Sequence, residues 1–193
     1  MQTSATLIDT AFGARGRSFA RDAMIALAAT GILTLSAKVQ VPLFIPMTLQ
    51  TLAVLVIGAA FGWRLGAATV LLYLAEGAAG LPVFADTPAK GIGLIYMMGP
   101  TGGYLMGFVA AAFVTGFMAE RGLTKSILGS LGVMALGHAV IFAFGFAWLA
   151  SIVGAQKAFA FGVAPFYLAT IIKTALGAAL LPAAWWAVNR LRG

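Results

Sequence analysis

Six apolar runs separated by short polar breaks dominate the sequence, at approximately residues 20–37, 47–62, 65–80, 97–119, 127–152 and 165–187. Runs of this kind suit a chain whose solvent is lipid, because a helix rises about 1.5 Å per residue and the hydrocarbon core is about 30 Å thick. Composition agrees: 62% of the 193 residues are hydrophobic and 9% are charged, against roughly 25% charged in a soluble domain. The expected fold is an all-α membrane protein, six transmembrane helices in one compact bundle. Residues 1–19 would form a cytoplasmic tail and residues 20–190 a single membrane domain.

The net charge of +7 follows topology and not nucleic-acid binding. With the N-terminus inside, the cytoplasmic segments hold Arg15, Arg17, Arg21, Arg64, Arg121, Lys125, Arg190 and Arg192, and the outer side holds Lys38, Lys90 and Lys157. That imbalance obeys the positive-inside rule, so both termini are expected in the cytoplasm of a multi-pass inner-membrane protein. No cleavable signal peptide is expected, because residues 1–19 lack a sustained apolar core. With five acidic residues, one His and no Cys, the chain has little material for acid–base catalysis or a metal site, and neither enzyme chemistry nor a cofactor is expected. Ser130, Ser151 and His138 exist, but Gly129-Ser130-Leu131-Gly132 does not make a serine-protease environment.

The second and third spans are joined only by Trp63-Arg64 and must form a tight hairpin. Small residues four apart, Gly58/Gly62 and Gly103/Gly107, suit close helix packing within the monomer, and leave homo-oligomerisation open. Residues 38–48, with Pro42 and Pro46, cannot be continuous helix. Together with residues 81–96 they form two semi-apolar outer connections, suited to covering a site.

An ionisable side chain inside a span costs roughly 2.5–3.5 kcal/mol on insertion scales, so each one marks a functional candidate. Lys173 sits about eight residues into the sixth span and has no acid in its own segment. A ligand carboxylate, a bridge to Glu76, or snorkelling would each satisfy it. Glu76 ends the third span, where binding a ligand, pairing with Lys173 or Lys90, and simple solvation at the outer interface are all open to it. His138 lies among apolar residues, where a packing role is favoured over proton transfer. Thr48, Gln50 and Thr51 gather polar groups at the outer end of the second span, and Gly99-Pro100-Thr101-Gly102-Gly103-Tyr104 opens the fourth.

Pro46-Met-Thr-Leu-Gln-Thr, Tyr73-Leu-Ala-Glu-Gly-Ala-Ala-Gly-Leu-Pro-Val-Phe and Met98-Gly-Pro-Thr-Gly-Gly-Tyr-Leu-Met-Gly-Phe occur in this order, and the series resembles the BioY family of biotin transporters. These are substrate-binding S components of energy-coupling-factor (ECF) importers. The resemblance runs from about residue 20 to 190 and implies a membrane-embedded bundle that captures biotin from outside. A transmembrane coupling subunit and ATPase subunits would supply the energy, since the chain carries no Walker A pattern; activity alone is also open, as is an S component for another small vitamin. Biotin's carboxylate suits Lys173 or Lys90. Its bicyclic ring suits Tyr96 and Tyr104, its ureido group suits Gln50 and Thr101, and Thr51, Glu76 and Gly103 complete the implied site. The family's Pro-Gly-Asp-Leu-x-Lys pattern reads Leu168-Ala169-Thr170-Ile171-Ile172-Lys173 here. Lys173 is therefore kept, and Thr170, Glu76 or Gln50 would replace the acid. A small-residue coupling face on the first helix is implied at Ala26, Thr30 and Thr34.

Overall fold

The computed structural model describes residues 5–13, 18–42 and 46–192. Its helices are α1 (Leu7–Phe12), α2 (Phe19–Lys38), α3 (Gln50–Ala78), α4 (Gly93–Met97), α5 (Gly102–Ala119), α6 (Ile127–Val153), α7 (Ala155–Gly162) and α8 (Tyr167–Arg192). Among the described residues, five helical stretches are long and apolar enough to cross a membrane. The second of these, α3, crosses twice.

The reversal in α3 rests on one residue. Gly62 has φ 82° and ψ 171°, a backbone region essentially closed to residues with a Cβ. Beyond it the chain doubles back: a Cβ placed on Gly66 would lie 2.8 Å from the Gly58 Cα, whereas eight residues of continuous helix would separate the two by about 12 Å. The two arms therefore touch backbone to backbone, which glycine at 66 allows, while glycine at 58 lets α5 close in at Ala112 and Thr115. At the tip the Trp63 N–H donates to Glu120 Oε1 (3.3 Å) at the end of α5. The traverses are thus α2, the two arms of α3, α5, α6 and α8: six crossings, as the apolar runs predict, with α1 and the end of α8 on one side.

That side carries the cations. Arg64 lies over the Trp63 ring at 4.7 Å, Arg121 over Phe117 at 3.4 Å, Lys125 over Trp185 at 5.0 Å and Arg190 over Trp186 at 5.1 Å. Aromatic rings at the interface beneath charged heads are what a membrane boundary favours, and the positive charge makes this end cytoplasmic. The hairpin of α3 packs against α5, and α5 against α6, around Val54, Leu55, Val70, Met134 and Ile141, all essentially inaccessible. The outward faces are also apolar, with Leu128, Ile171 and Trp186 exposed, because lipid asks nothing else of them.

Two local features add detail to these expectations. Within residues 1–19 the Thr6 side chain caps α1 by accepting from the Asp9 N–H (3.1 Å). Ile8 is buried, and an apolar side chain with an N-cap suffices to seat one helical turn on the cytoplasmic end. Arg15 and Arg17 lie outside the described residues. Gln40–Pro42 and Pro46–Thr48 (β1 and β2) pair as an antiparallel ribbon, since Pro42 and Pro46 deny this connection a helix; residues 43–45 within it are outside the described set.

Substituting Gly62→Ala is expected to destabilise the protein by about 1–3 kcal/mol. Gly31→Ala, on the open face of α2 with nothing near its Cβ position, is expected to be neutral or stabilising by up to about 1 kcal/mol. Thermal unfolding in detergent checks both, and equal melting temperatures for the two variants would contradict the hairpin assignment.

Candidate functional site

The α3 hairpin begins at the outer face with Gln50 and Thr51 side by side, and each reaches a different part of the bundle. Lys173 lies six residues into α8, about 9 Å below its outer end, and only 9% of it is exposed. Its Nζ donates to Thr51 Oγ1 at 3.2 Å. Among the described residues no carboxylate lies within ion-pair distance of this ammonium, so a neutral hydroxyl is what meets a buried positive charge. Such a charge remains expensive until an anion arrives.

Gln50 faces the other way. Its Nε2 donates to the Tyr73 hydroxyl (2.8 Å), which donates in turn to the Val83 carbonyl (2.8 Å), leaving the Gln50 amide oxygen as an acceptor. Val83 opens the outer connection, and Phe84 beside it plunges into the bundle. The Phe84 ring occupies the place a side chain would take at Gly77, meets Tyr73 edge-on at 5.4 Å and stacks on Tyr96 at 5.1 Å. Tyr96 also hydrogen-bonds the Thr101 side chain; burial is the main effect on its phenol and holds the pKa above the ordinary value, while the Thr101 bond opposes the shift. Gln50, Tyr73, Phe84, Tyr96 and Thr101 thus form one continuous chain of contacts starting beside the Thr51–Lys173 pair.

The loop is latched from outside by a residue the sequence marked only as an outer charge. Lys38, ending α2, donates to the Phe84 carbonyl (2.8 Å), the Thr87 carbonyl (2.7 Å) and Thr87 Oγ1 (2.9 Å), using all three ammonium protons. Gln40 Nε2 adds a bond to Asp86 Oδ1 (3.0 Å). A lysine at a helix end with no nearby acid in sequence is the signal that could have pointed to it. Carbonyl oxygens supplied by the loop are what it was missing.

Other expected site residues bond to partners other than Lys173. Lys90 is exposed and pairs with Asp86 at 2.6 Å, a hydrogen bond that holds its ammonium above the ordinary pKa. Gly103 packs against the Trp148 side chain of α6, and the Tyr104 hydroxyl donates to the Gly162 carbonyl at the end of α7 (2.7 Å). Glu76 Oε1 accepts from the Thr30 hydroxyl (2.9 Å), not from either lysine. Thr170 donates back to the Phe166 carbonyl (2.8 Å). The implied coupling face is also turned: Ala26 and Thr30 are buried in the bundle, and α2 shows Met24, Leu27, Ala28, Gly31, Ile32 and Leu35 outward. An interhelical bond to Glu76 fixes Thr30 inward. Ser130 and Ser151 donate to the Thr124 and Trp148 carbonyls, not to His138.

Six membrane crossings, a buried cation in the outer half and a latched aromatic loop beside it define a multi-pass membrane protein with a secluded polar site. The BioY family model matches residues 3–190, and the chain belongs to that family. It is 38% identical over 131 residues to the probable biotin transporter BioY of Pyrococcus horikoshii, covering 68% of this chain and 75% of that one. The biotin transporter BioY of Thermotoga maritima is 37% identical over 151 residues, covering 77% and 86%. Among solved structures, the S-component for biotin from an ECF-type ABC transporter superposes with a TM-score of 0.72 over 85% of this chain and 90% of that one, at 22% identity. The two share a fold.

Replacing Lys38 with Met is expected to unlatch the outer loop. Amide exchange at residues 83–91 should rise at least about tenfold, since losing hydrogen bonds to a charged donor removes roughly 1.5–3 kcal/mol each, while exchange in the α3 hairpin stays as it was. Unchanged exchange in the loop would contradict the latch.

Proposed function

We propose that this protein captures biotin at the outer face of the cytoplasmic membrane and passes it inward as the substrate-binding S component of an ECF-type importer. Family membership and the names of its relatives support biotin as the ligand. The observation that carries the reading within the chain is Lys173: a buried ammonium held by one hydroxyl and lacking an anion among the described residues. The biotin carboxylate supplies that anion. The bicyclic ring lies against the apolar and aromatic surface that Phe84 and Tyr96 bring to the outer half of the bundle, and Gln50 offers its amide oxygen beside Thr51. Thr101 contributes by holding Tyr96, and Lys90 draws the anionic ligand toward the loop from solvent.

Family and fold are those of a transporter component, and the energy for release comes from partners: a transmembrane coupling subunit and ATPase subunits. On α2 the face open to such a partner is the Met24, Ala28, Gly31 and Leu35 side, with Thr34 at its edge.

The test is equilibrium binding of labelled biotin to purified protein. Lys173→Ala should weaken binding by at least about a hundredfold, as expected for removing one partner of a buried ion pair, with the melting temperature of the empty protein unchanged or raised. Biotin methyl ester should bind the parent protein as weakly as biotin binds the variant. Full-strength binding by Lys173→Ala, or displacement of biotin by an equal concentration of an unrelated vitamin, would overturn the reading.

A further inference from the structure

His138, on α6, is 2% exposed. Its Nδ1 lies 3.0 Å from the Met134 carbonyl oxygen, one turn back on the same helix, and 3.0 Å from Thr174 Oγ1 on α8. A carbonyl only accepts, so a bond to Met134 assigns the ring proton to Nδ1, with Thr174 Oγ1 as its second acceptor, and Nε2 then presents a bare lone pair. That Nε2 is buried and has no hydrogen-bond partner. Arg21 Nε and Asp22 Oδ1, also buried, face each other as an ion pair at 3.4 Å on the cytoplasmic end. Nε2 alone lies in the bundle interior.

A histidine kept for packing satisfies both ring nitrogens, and leaving one buried acceptor unmade costs roughly 1–3 kcal/mol. The place of this one is informative. Thr174 is the neighbour of Lys173 on α8, and Lys173 is close enough for its charge to act on the imidazole. Lys173 spends its own reach on Thr51, and no cluster of metal-ligating side chains exists among the described residues. Thr174 and Lys173 are consecutive on α8, so the His138 imidazole and the Lys173 ammonium meet the same stretch of that helix, and the vacant lone pair calls for a hydrogen-bond donor.

Resting on the biotin reading above, we propose that His138 Nε2 accepts a hydrogen bond from a ureido N–H of the ligand. At neutral pH the carboxylate, the thioether and the ureido carbonyl of biotin can only accept, and its two ureido N–H groups are its only donors. A cation and a lone acceptor, both buried and both unmatched, complement a ligand carrying an anion and an N–H. His138 then sets specificity: a molecule that fits but lacks the N–H leaves Nε2 unsatisfied.

The experiment compares biotin with two analogues in which one or the other ureido N–H is replaced by a ring oxygen, which removes a donor without adding bulk. The parent protein should bind one of the two at least about tenfold more weakly than biotin. His138→Ala should bind biotin at least about tenfold more weakly than the parent, and its discrimination between biotin and that analogue should collapse to within about threefold. His138→Gln, which keeps an acceptor oxygen at similar reach, should restore part of the discrimination. If the parent binds both analogues like biotin, or His138→Ala keeps the full discrimination, the assignment is overturned while the biotin reading stands. Failure of the parent to bind biotin at all would remove both.

Discussion

A single ammonium placed inside a bilayer conditions much of this structure. Lys173 is buried in a segment where charge is costly, and the protein supplies it with a hydroxyl but, among the described residues, no counter-charge. A bridge to Glu76 would have neutralised it internally. Instead Glu76 is held by Thr30, which ties α2 to the second arm of α3 and leaves Lys173 in need of an anion. The protein is thereby poised to gain more from binding an anion than a pre-neutralised site would.

The rest of the fold serves to present that group. The Gly62 reversal returns α3 to the outer face, so Thr51 at its start and Tyr73 near its end share one level with Lys173. Gly66 lets the arms touch, Gly58 lets α5 close in, and Gly77 makes room for Phe84. Lys38 then clamps the loop whose Phe84 closes against Tyr96. Close backbone packing and a latch of charge-assisted bonds are complementary here: the first fixes the wall, the second holds the cover.

Much of this was legible in the sequence. Six apolar runs and the side preference of Lys and Arg predicted the crossings and their direction, because both follow from the cost of taking polar groups through lipid. Lys173 and Thr51 stood out for the same reason, as did Gln50. Which way a helix faces was not legible. In a water-soluble bundle polarity separates inside from outside, but here Leu33 in the core and Ile32 against lipid are equally apolar, so Ala26 and Thr30 gave no sign of turning inward. Loops were harder still: the carbonyl oxygens that Lys38 clamps lie 46 and 49 residues away in sequence, whereas the Asp86 that holds Lys90 is only four away. His138 read as a packing histidine because an unsatisfied nitrogen is a property of three-dimensional surroundings.

The central claim is that the buried ammonium of Lys173 holds the ligand's carboxylate. A solid-state NMR distance measurement between biotin labelled with carbon-13 at its carboxyl group and protein labelled with nitrogen-15 at its lysine side chains tests it directly. The account predicts a carbon–nitrogen separation of about 3.5–4 Å, the reach of a charge-assisted hydrogen bond, and its disappearance in Lys173→Met loaded with saturating biotin. No short coupling in the parent, or the same coupling surviving in Lys173→Met, would contradict it.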